Sequence, residues 1–171
     1  MRKILIVVDM QNDFVDGALG TPEAQAIIPA ACAKIREFDG EIFVTMDTHF
    51  DNYLQTHEGK NLPVIHCGKN THGWQLNDRI QEALSGKNYT AVEKSGFGAK
   101  SLPKALGEGK KEITMIGLCT DICVVSNALL LKTADPDVEE ITVDSACCAG
   151  VTPHKHNAAL ETMRSCQIRV I

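Results

Sequence analysis

The run Glu112-Ile-Thr-Met-Ile-Gly-Leu-Cys-Thr-Asp-Ile-Cys-Val-Val-Ser-Asn-Ala-Leu-Leu-Leu-Lys132 constrains this chain more than any other stretch. Its first part, Ile113 to Leu118, is short and apolar, the pattern of a strand buried on both faces of a parallel sheet. The chain then bends through Gly117 to Asp121 and continues as an apolar-rich segment of helix length. Thr120 and Asp121 are residue types that accept hydrogen bonds from the free N–H groups of a first helical turn. Cys123 therefore falls at or near a helix N-terminus, just beyond the carboxyl end of a strand. There the helix dipole and unpaired N–H groups favour thiolate over thiol. The same N–H groups are placed to hold a developing oxyanion. Most cysteines are small packing residues; the strand–turn–helix setting argues for a nucleophile here.

The rest of the chain alternates strand and helix around this unit. Arg2 to Val8 is expected as a first strand ending at Asp9, which interrupts the apolar run too early for a signal-peptide core. Thr21-Pro22-Glu23 opens a helix whose apolar positions Ile27, Ala31, Ile35 and Phe38 recur at helical spacing, with Pro29 confined to its first turn. Glu41 to Met46 reads as the second strand, Trp74 to Leu84 as a helix and Tyr89 to Lys94 as the third strand. A short helix follows at Leu102 to Leu106, then a strand at Glu140 to Asp144. A last helix opens at Thr152-Pro153, and Gln167 to Ile171 supplies the final strand. Such alternation predicts an α/β fold with a doubly wound parallel sheet. With no linker or repeat, the 171 residues are expected to form a single domain, 1–171. A net charge of -5 gives no electrostatic footprint for nucleic acid or an acidic membrane, and no apolar run is long enough to cross a bilayer. Seven cysteines, an odd number without a disulfide-like spacing, fit a reduced cytoplasmic protein.

In a doubly wound sheet, ligands bind outside the carboxyl ends of the strands. That rule selects Asp9, Asp47, Lys94 and Cys123. Together they offer a nucleophile, a carboxylate to take its proton, and a cation to favour the charged forms. Asp13 competes with Asp9 for the role of base. A second group, Asp47-Thr48-His49 with Glu58 and His66, lies in the long polar stretch from Asp47 to Gly73. Asp-x-His at a strand end puts both side chains on one side of the pleat. A carboxylate and two imidazoles suit a divalent zinc, iron or manganese ion, with open positions for water or substrate. His57 and His72 are alternatives to His66.

Asp9-Met-Gln-Asn-Asp-Phe14, Lys94 before Ser95-Gly-Phe-Gly98, and Gly117-Leu-Cys-Thr-Asp-Ile-Cys-Val124 resemble the motifs of the isochorismatase-like cysteine hydrolases, in the same order. The resemblance extends to Asp144-Ser-Ala-Cys147 and His156-Asn-Ala-Ala-Leu160. It implies a three-layer α-β-α, Rossmann-like fold around a six-stranded parallel sheet. It also implies Cys123 as nucleophile, Asp9 as general base and Lys94 as their charged partner. A cis peptide at Leu118-Cys119 is implied beside an oxyanion site, with the N–H groups of Ile122 and Cys123 as donors. True isochorismatases lack the cysteine and cleave a vinyl ether. The set Asp47, His49, Glu58 and His66 resembles the metal site of nicotinamidases, which carbamoyl- and ureido-cleaving relatives generally lack. Where nicotinamidases often carry an aromatic and a proline, this chain has Thr48 and Phe50, and Ile122 replaces a frequent tyrosine. Phe14, Phe97 and Trp74 are left to sandwich a substrate ring. The implied activity is hydrolysis of a small aromatic amide, nicotinamide first, through a thioester, in an enzyme that is commonly a homo-oligomer. Other amide, carbamoyl or ureido substrates, and a non-catalytic metal- or redox-binding role, stand as alternatives.

Overall fold

The computed structural model describes residues 1–171. Its centre is β1 (Arg2–Val8), whose residues Ile4 to Val8 are wholly inaccessible to solvent. Alternate side chains serve opposite faces of the pleat, so Leu5 and Val7 enter one apolar core while Ile4, Ile6 and Val8 enter another. This double burial is what the unbroken apolar run of the sequence encodes.

After β1 come a one-turn α1 (Asn12–Val15), then α2 (Pro22–Ala26) and α3 (Ile28–Glu37). The single helix expected from Thr21 onward is two helices. Thr21 caps α2 through a bond from the Ala24 N–H, the chain breaks at Ile27, and Pro29 sits in the first turn of α3, where its missing N–H costs nothing. β2 (Glu41–Asp47) follows, then a 3-10 turn at Tyr53–Gln55 and α4 (His57–Asn61), which give structure to part of the long polar stretch. The helix expected from Trp74 starts later, as α5 (Asp78–Ala83), because the Asn77 side chain caps it by accepting from the Arg79 N–H. β3 (Tyr89–Lys94) and α6 (Leu102–Leu106) lie where the sequence placed them.

β4 (Lys111–Leu118) leads into a five-residue π-helical turn, Thr120–Val124, and then α7 (Val125–Ala134). β5 (Val138–Ala149) is more than twice as long as expected, and β6 (Arg169–Val170) is shorter. Between them, α8 (Pro153–Ser165) begins at a Thr152 cap. All six strands pair in parallel, in the order β3-β2-β1-β4-β5-β6. The core on one face joins the sheet to α2, α3 and α5, and the other joins it to α6, α7 and α8. This is the three-layer α/β sandwich. No helix is long and apolar enough to cross a membrane.

The strand order places the functional crevice. From β1 the chain winds outward through β2 to β3, then returns to lay β4 on the other side of β1. The carboxyl ends of β1 and β4 flank the point where the winding reverses, the position at which such sheets bind ligands.

Candidate active site

The carboxyl ends of β1, β2, β3 and β4 each lead to one reactive side chain. Asp9 follows β1 directly, in a left-handed backbone conformation with φ 48°. It has no solvent exposure, and the Thr45 hydroxyl donates to its Oδ1 at 2.6 Å. Lys94 and Asp47 are the last residues of β3 and β2 and are register partners. β3 does not touch β1, and two strand spacings come to roughly 10 Å. The long lysine stem bridges that gap. Its Nζ lies 2.7 Å from Asp9 Oδ2, 3.1 Å from Asp47 Oδ1 and 3.5 Å from Cys123 Sγ, and it donates to the Gly96 carbonyl at 3.0 Å.

Cys123 comes from the π turn after β4 and is 5% exposed. The turn is close to the sheet because Gly117, at φ 121°, lets β4 press on β1; a Cβ there would lie 2.2 Å from the Val8 carbonyl oxygen. The peptide Leu118-Cys119 is cis, as the motif implied. Asn127, fully buried, ties the region together: it donates to the carbonyls of Cys123 at 2.8 Å and Phe97 at 3.2 Å, and accepts from the Ala99 N–H at 2.8 Å. An asparagine within the apolar run of α7 was the sequence signal for it.

The electrostatics correct one expectation. Cys123 was expected as a thiolate favoured by its helix terminus. Burial, and then the charge of Asp9, instead push its thiol well above the ordinary value, with Lys94 opposing. Burial also raises Asp9, again against Lys94. Burial works against the charge on Lys94, but Asp9, Cys123 and Asp47 outweigh it and raise the ammonium above its usual range. The arrangement is a protonated lysine beside a carboxyl and a thiol whose pKa values burial raises and the lysine lowers. Oδ2 of Asp9 is buried and lies against the Lys94 ammonium.

Beside this trio lies the second group. Asp47, His49, Glu58 and His66 each offer one ligand atom, all within 4.8 Å of one another. His49 Nε2 is 2.9 Å from Asp47 Oδ2 and 3.6 Å from Glu58 Oε1; His66 Nε2 is 3.5 Å and 3.6 Å from the same two atoms. A tetrahedron with metal–ligand arms near 2.1 Å has edges of about 3.4 Å. His49 Nε2 is buried with no hydrogen-bond partner, and His66 Nδ1 is anchored 2.8 Å from the Val64 carbonyl, which leaves its Nε2 aimed at the cluster. These donors fit a divalent cation. His57 and His72 are outside the cluster; His57 contacts Asn61, and the His72 carbonyl accepts from Asn12. Burial opposes ionisation of Asp47, but His49, His66 and Lys94 together hold its carboxyl well below the usual range.

Other expected residues fall differently. Asp13 is a loop clamp rather than a second base: its carboxylate accepts from the N–H groups of Cys67 and Ala18. Gln11, unremarked in the sequence, holds the Asp47 backbone by both its donor and acceptor ends. Phe14 is buried and meets the His66 ring edge-on, with centroids 5.5 Å apart. Phe97 is half exposed on the loop after Lys94. Trp74 departs most. Its indole N–H donates to Thr48 Oγ1 at 2.9 Å, and it lines a cavity of about 370 Å³ with Met46, Leu76 and Tyr89, which contains none of Asp9, Lys94 or Cys123. The cavity that opens over the metal-type cluster, about 420 Å³, is walled by Thr48, His49, Phe50, Tyr53, Glu58 and Ser95 among others. Of the oxyanion donors implied by the motif, the Ile122 N–H is already bonded to the Cys119 carbonyl at 3.0 Å. The Cys119 N–H donates to no backbone acceptor.

Residues 3–171 match the Isochorismatase domain family. The chain belongs to that family. It is 33% identical over 125 residues to the nicotinamidase of Saccharomyces cerevisiae, an alignment covering 56% of this chain and 57% of the yeast protein. The crystal structure of a nicotinamidase from Bacillus subtilis superposes with a TM-score of 0.83 at 26% identity, over 99% of both chains. That of a pyrazinamidase of Pyrococcus horikoshii in complex with zinc gives a TM-score of 0.80 at 27% identity, over 100% of this chain and 99% of that one. A nicotinamidase/pyrazinamidase of Mycobacterium tuberculosis is 27% identical over 190 residues, covering 99% of this chain and 98% of that protein.

Proposed function

We propose that this chain is a metal-containing cysteine amidohydrolase that converts nicotinamide, or a close aromatic amide, to the acid and ammonia through a thioester. The observation that carries the reading is the meeting of Asp9, Lys94 and Cys123 at one strand-end crevice, with the Asp47 carboxylate shared between Lys94 and the His49–Glu58–His66 group. The whole 1–171 chain acts as one domain. Its seven free cysteines suit the reducing cytoplasm, and homo-oligomeric assembly is carried over from the family.

Asp9 takes the thiol proton of Cys123, and the thiolate attacks the amide carbon. Lys94 remains protonated and balances the charge that moves between Asp9 and sulfur. The oxyanion rests on backbone N–H groups of the turn, Cys119 among them. Asp9 returns its proton to the departing nitrogen, so the C–N bond breaks and ammonia leaves a thioester behind. Asp9 then takes a proton from water as its oxygen attacks the thioester, and the Cys123 sulfur leaves and regains that proton. Asp47, His49, Glu58 and His66 would hold the divalent ion, which when bound supplies a Lewis-acid anchor for a ring nitrogen or water.

The test is ammonia release from a panel of nicotinamide, pyrazinamide, aliphatic amides, and carbamoyl and ureido compounds, with intact-mass detection of the acyl-enzyme. Nicotinamide and pyrazinamide should lead the panel, and Cys123→Ala should lose roughly 10⁴-fold or more in kcat. Preferential turnover of a ureido compound would transfer the substrate to the alternative reading. No acyl-enzyme with any amide, together with a reversible oxidation of Cys123, would assign the chain a redox role instead.

A further inference from the structure

Thr120 and Asp121 are both cap-type residues at the start of the turn that carries Cys123, yet neither caps it; Cys119 occupies the cap position and makes no side-chain bond. Both side chains point out of the turn to the segment beyond β5. The Thr120 hydroxyl, fully buried, lies 2.8 Å from Nδ1 of His156 in α8. Asp121 Oδ1 accepts from the Val151 N–H at 2.9 Å. α8 can approach this closely because residue 150 is glycine; a Cβ there would lie 2.8 Å from both Asp121 Oδ1 and the His156 nitrogen. The Thr152 cap fixes where α8 begins, by accepting from the Lys155 N–H, and so fixes His156 in its first turn.

π turns are rare, occur mostly as single turns within α-helices, and are frequent at functional sites. We propose that His156 is a positioning residue for the reaction: through Thr120 it holds the π turn so that the Cys123 sulfur stays in register with Lys94 and Asp9. His156 touches none of the reacting atoms and acts only through Thr120. Burial lowers its basicity, against the charge of Asp121, and its Nδ1 meets the Thr120 hydroxyl as acceptor or donor according to the tautomer. This inference rests on Cys123 being the nucleophile but not on which amide it attacks.

The test uses full-length His156→Ala, His156→Asn, Thr120→Val, Thr120→Ser and the double variant Thr120→Val/His156→Ala. Ammonia release is resolved into kcat and KM, and the pH dependence of Cys123 alkylation by iodoacetamide is followed by peptide mass spectrometry. Cys123 faces Asp9, Asp47 and Lys94, so a displaced sulfur changes its titration. His156→Ala and Thr120→Val are each expected to lower kcat about 10-fold with KM within about 2-fold. The double variant is expected to lose no more than either single one, because both remove the same bond. Asparagine, whose amide reaches the Nδ1 position, and serine should each restore most of the loss. The alkylation midpoint should move by about half a unit or more in His156→Ala. Additive losses in the double variant, a loss confined to KM, or an unmoved alkylation midpoint would each overturn the proposal. Should His156→Ala fail to fold, Thr120→Val against Thr120→Ser decides it. Alkylation needs no substrate, so failure of the amide assignment and failure of this inference are read separately.

Discussion

Replacing Lys94 by methionine keeps the stem but removes the cation from a site where its side chain is 2% exposed. The ammonium stands 2.7 Å from Asp9 and 3.1 Å from Asp47. At an effective dielectric constant near 20, those distances correspond to gross attractions of about 6 and 5 kcal/mol. Much of that is offset by the cost of stripping water from the ions, and breaking a buried pair from one side costs about 3–5 kcal/mol net. For a chain of 171 residues this is a fall in Tm of roughly 6–20 °C. The deficit should depend on pH with a definite sign. Burial already raises Asp9 above the ordinary carboxyl value, with Lys94 opposing. Without that opposition its folded pKa rises further above the unfolded one. A carboxyl shifted upward destabilises the fold increasingly as pH climbs from its unfolded value through its folded one. Urea unfolding of wild type and variant at pH 5 and pH 8 should therefore show the larger gap at pH 8, accompanied by loss of ammonia release. A gap that is equal at both pH values, or below about 1 kcal/mol, would mean that Lys94 is not the partner that makes Asp9 tolerable in the interior.

Two further outcomes follow from the same geometry. His49→Ala removes one of two imidazole donors, and the purified variant should bind at least about 10-fold less zinc by metal analysis; undiminished binding would remove His49 from the ligand set. Gly117→Ala forces a Cβ to within 2.2 Å of the Val8 carbonyl at φ 121°, and should cost about 3 kcal/mol or more in urea unfolding. A Tm within about 2 °C of wild type would show that β4 can retreat from β1 at little cost.

The parts of this molecule legible from sequence are those set by period and by strand ends. Apolar runs marked β1, β2 and the end of β4, and the ends of β1, β3 and β4 marked Asp9, Lys94 and the neighbourhood of Cys123. Less legible were features decided by contacts distant in sequence. Thr120 and Asp121 have cap chemistry, but α8 and the residues just before it, some thirty positions on, offer their side chains alternative partners. Trp74 looked like a wall for a substrate ring, yet the Thr48 hydroxyl, 26 positions earlier, draws its indole elsewhere. The resting state of Cys123 was misjudged for a related reason: a helix terminus is visible locally, whereas burial of the sulfur beside Asp9 is a property of the assembled sheet.

Asp47 spends one carboxylate oxygen on the lysine and the other on the imidazoles. A cation entering among His49, Glu58 and His66 would draw electron density from the same group that steadies Lys94, and loading the ion would thereby retune the proton traffic at sulfur. The Lys94 contact and the imidazole cluster are thus two ends of a single lever, and a substitution at Asp47 that disturbs one tilts the other.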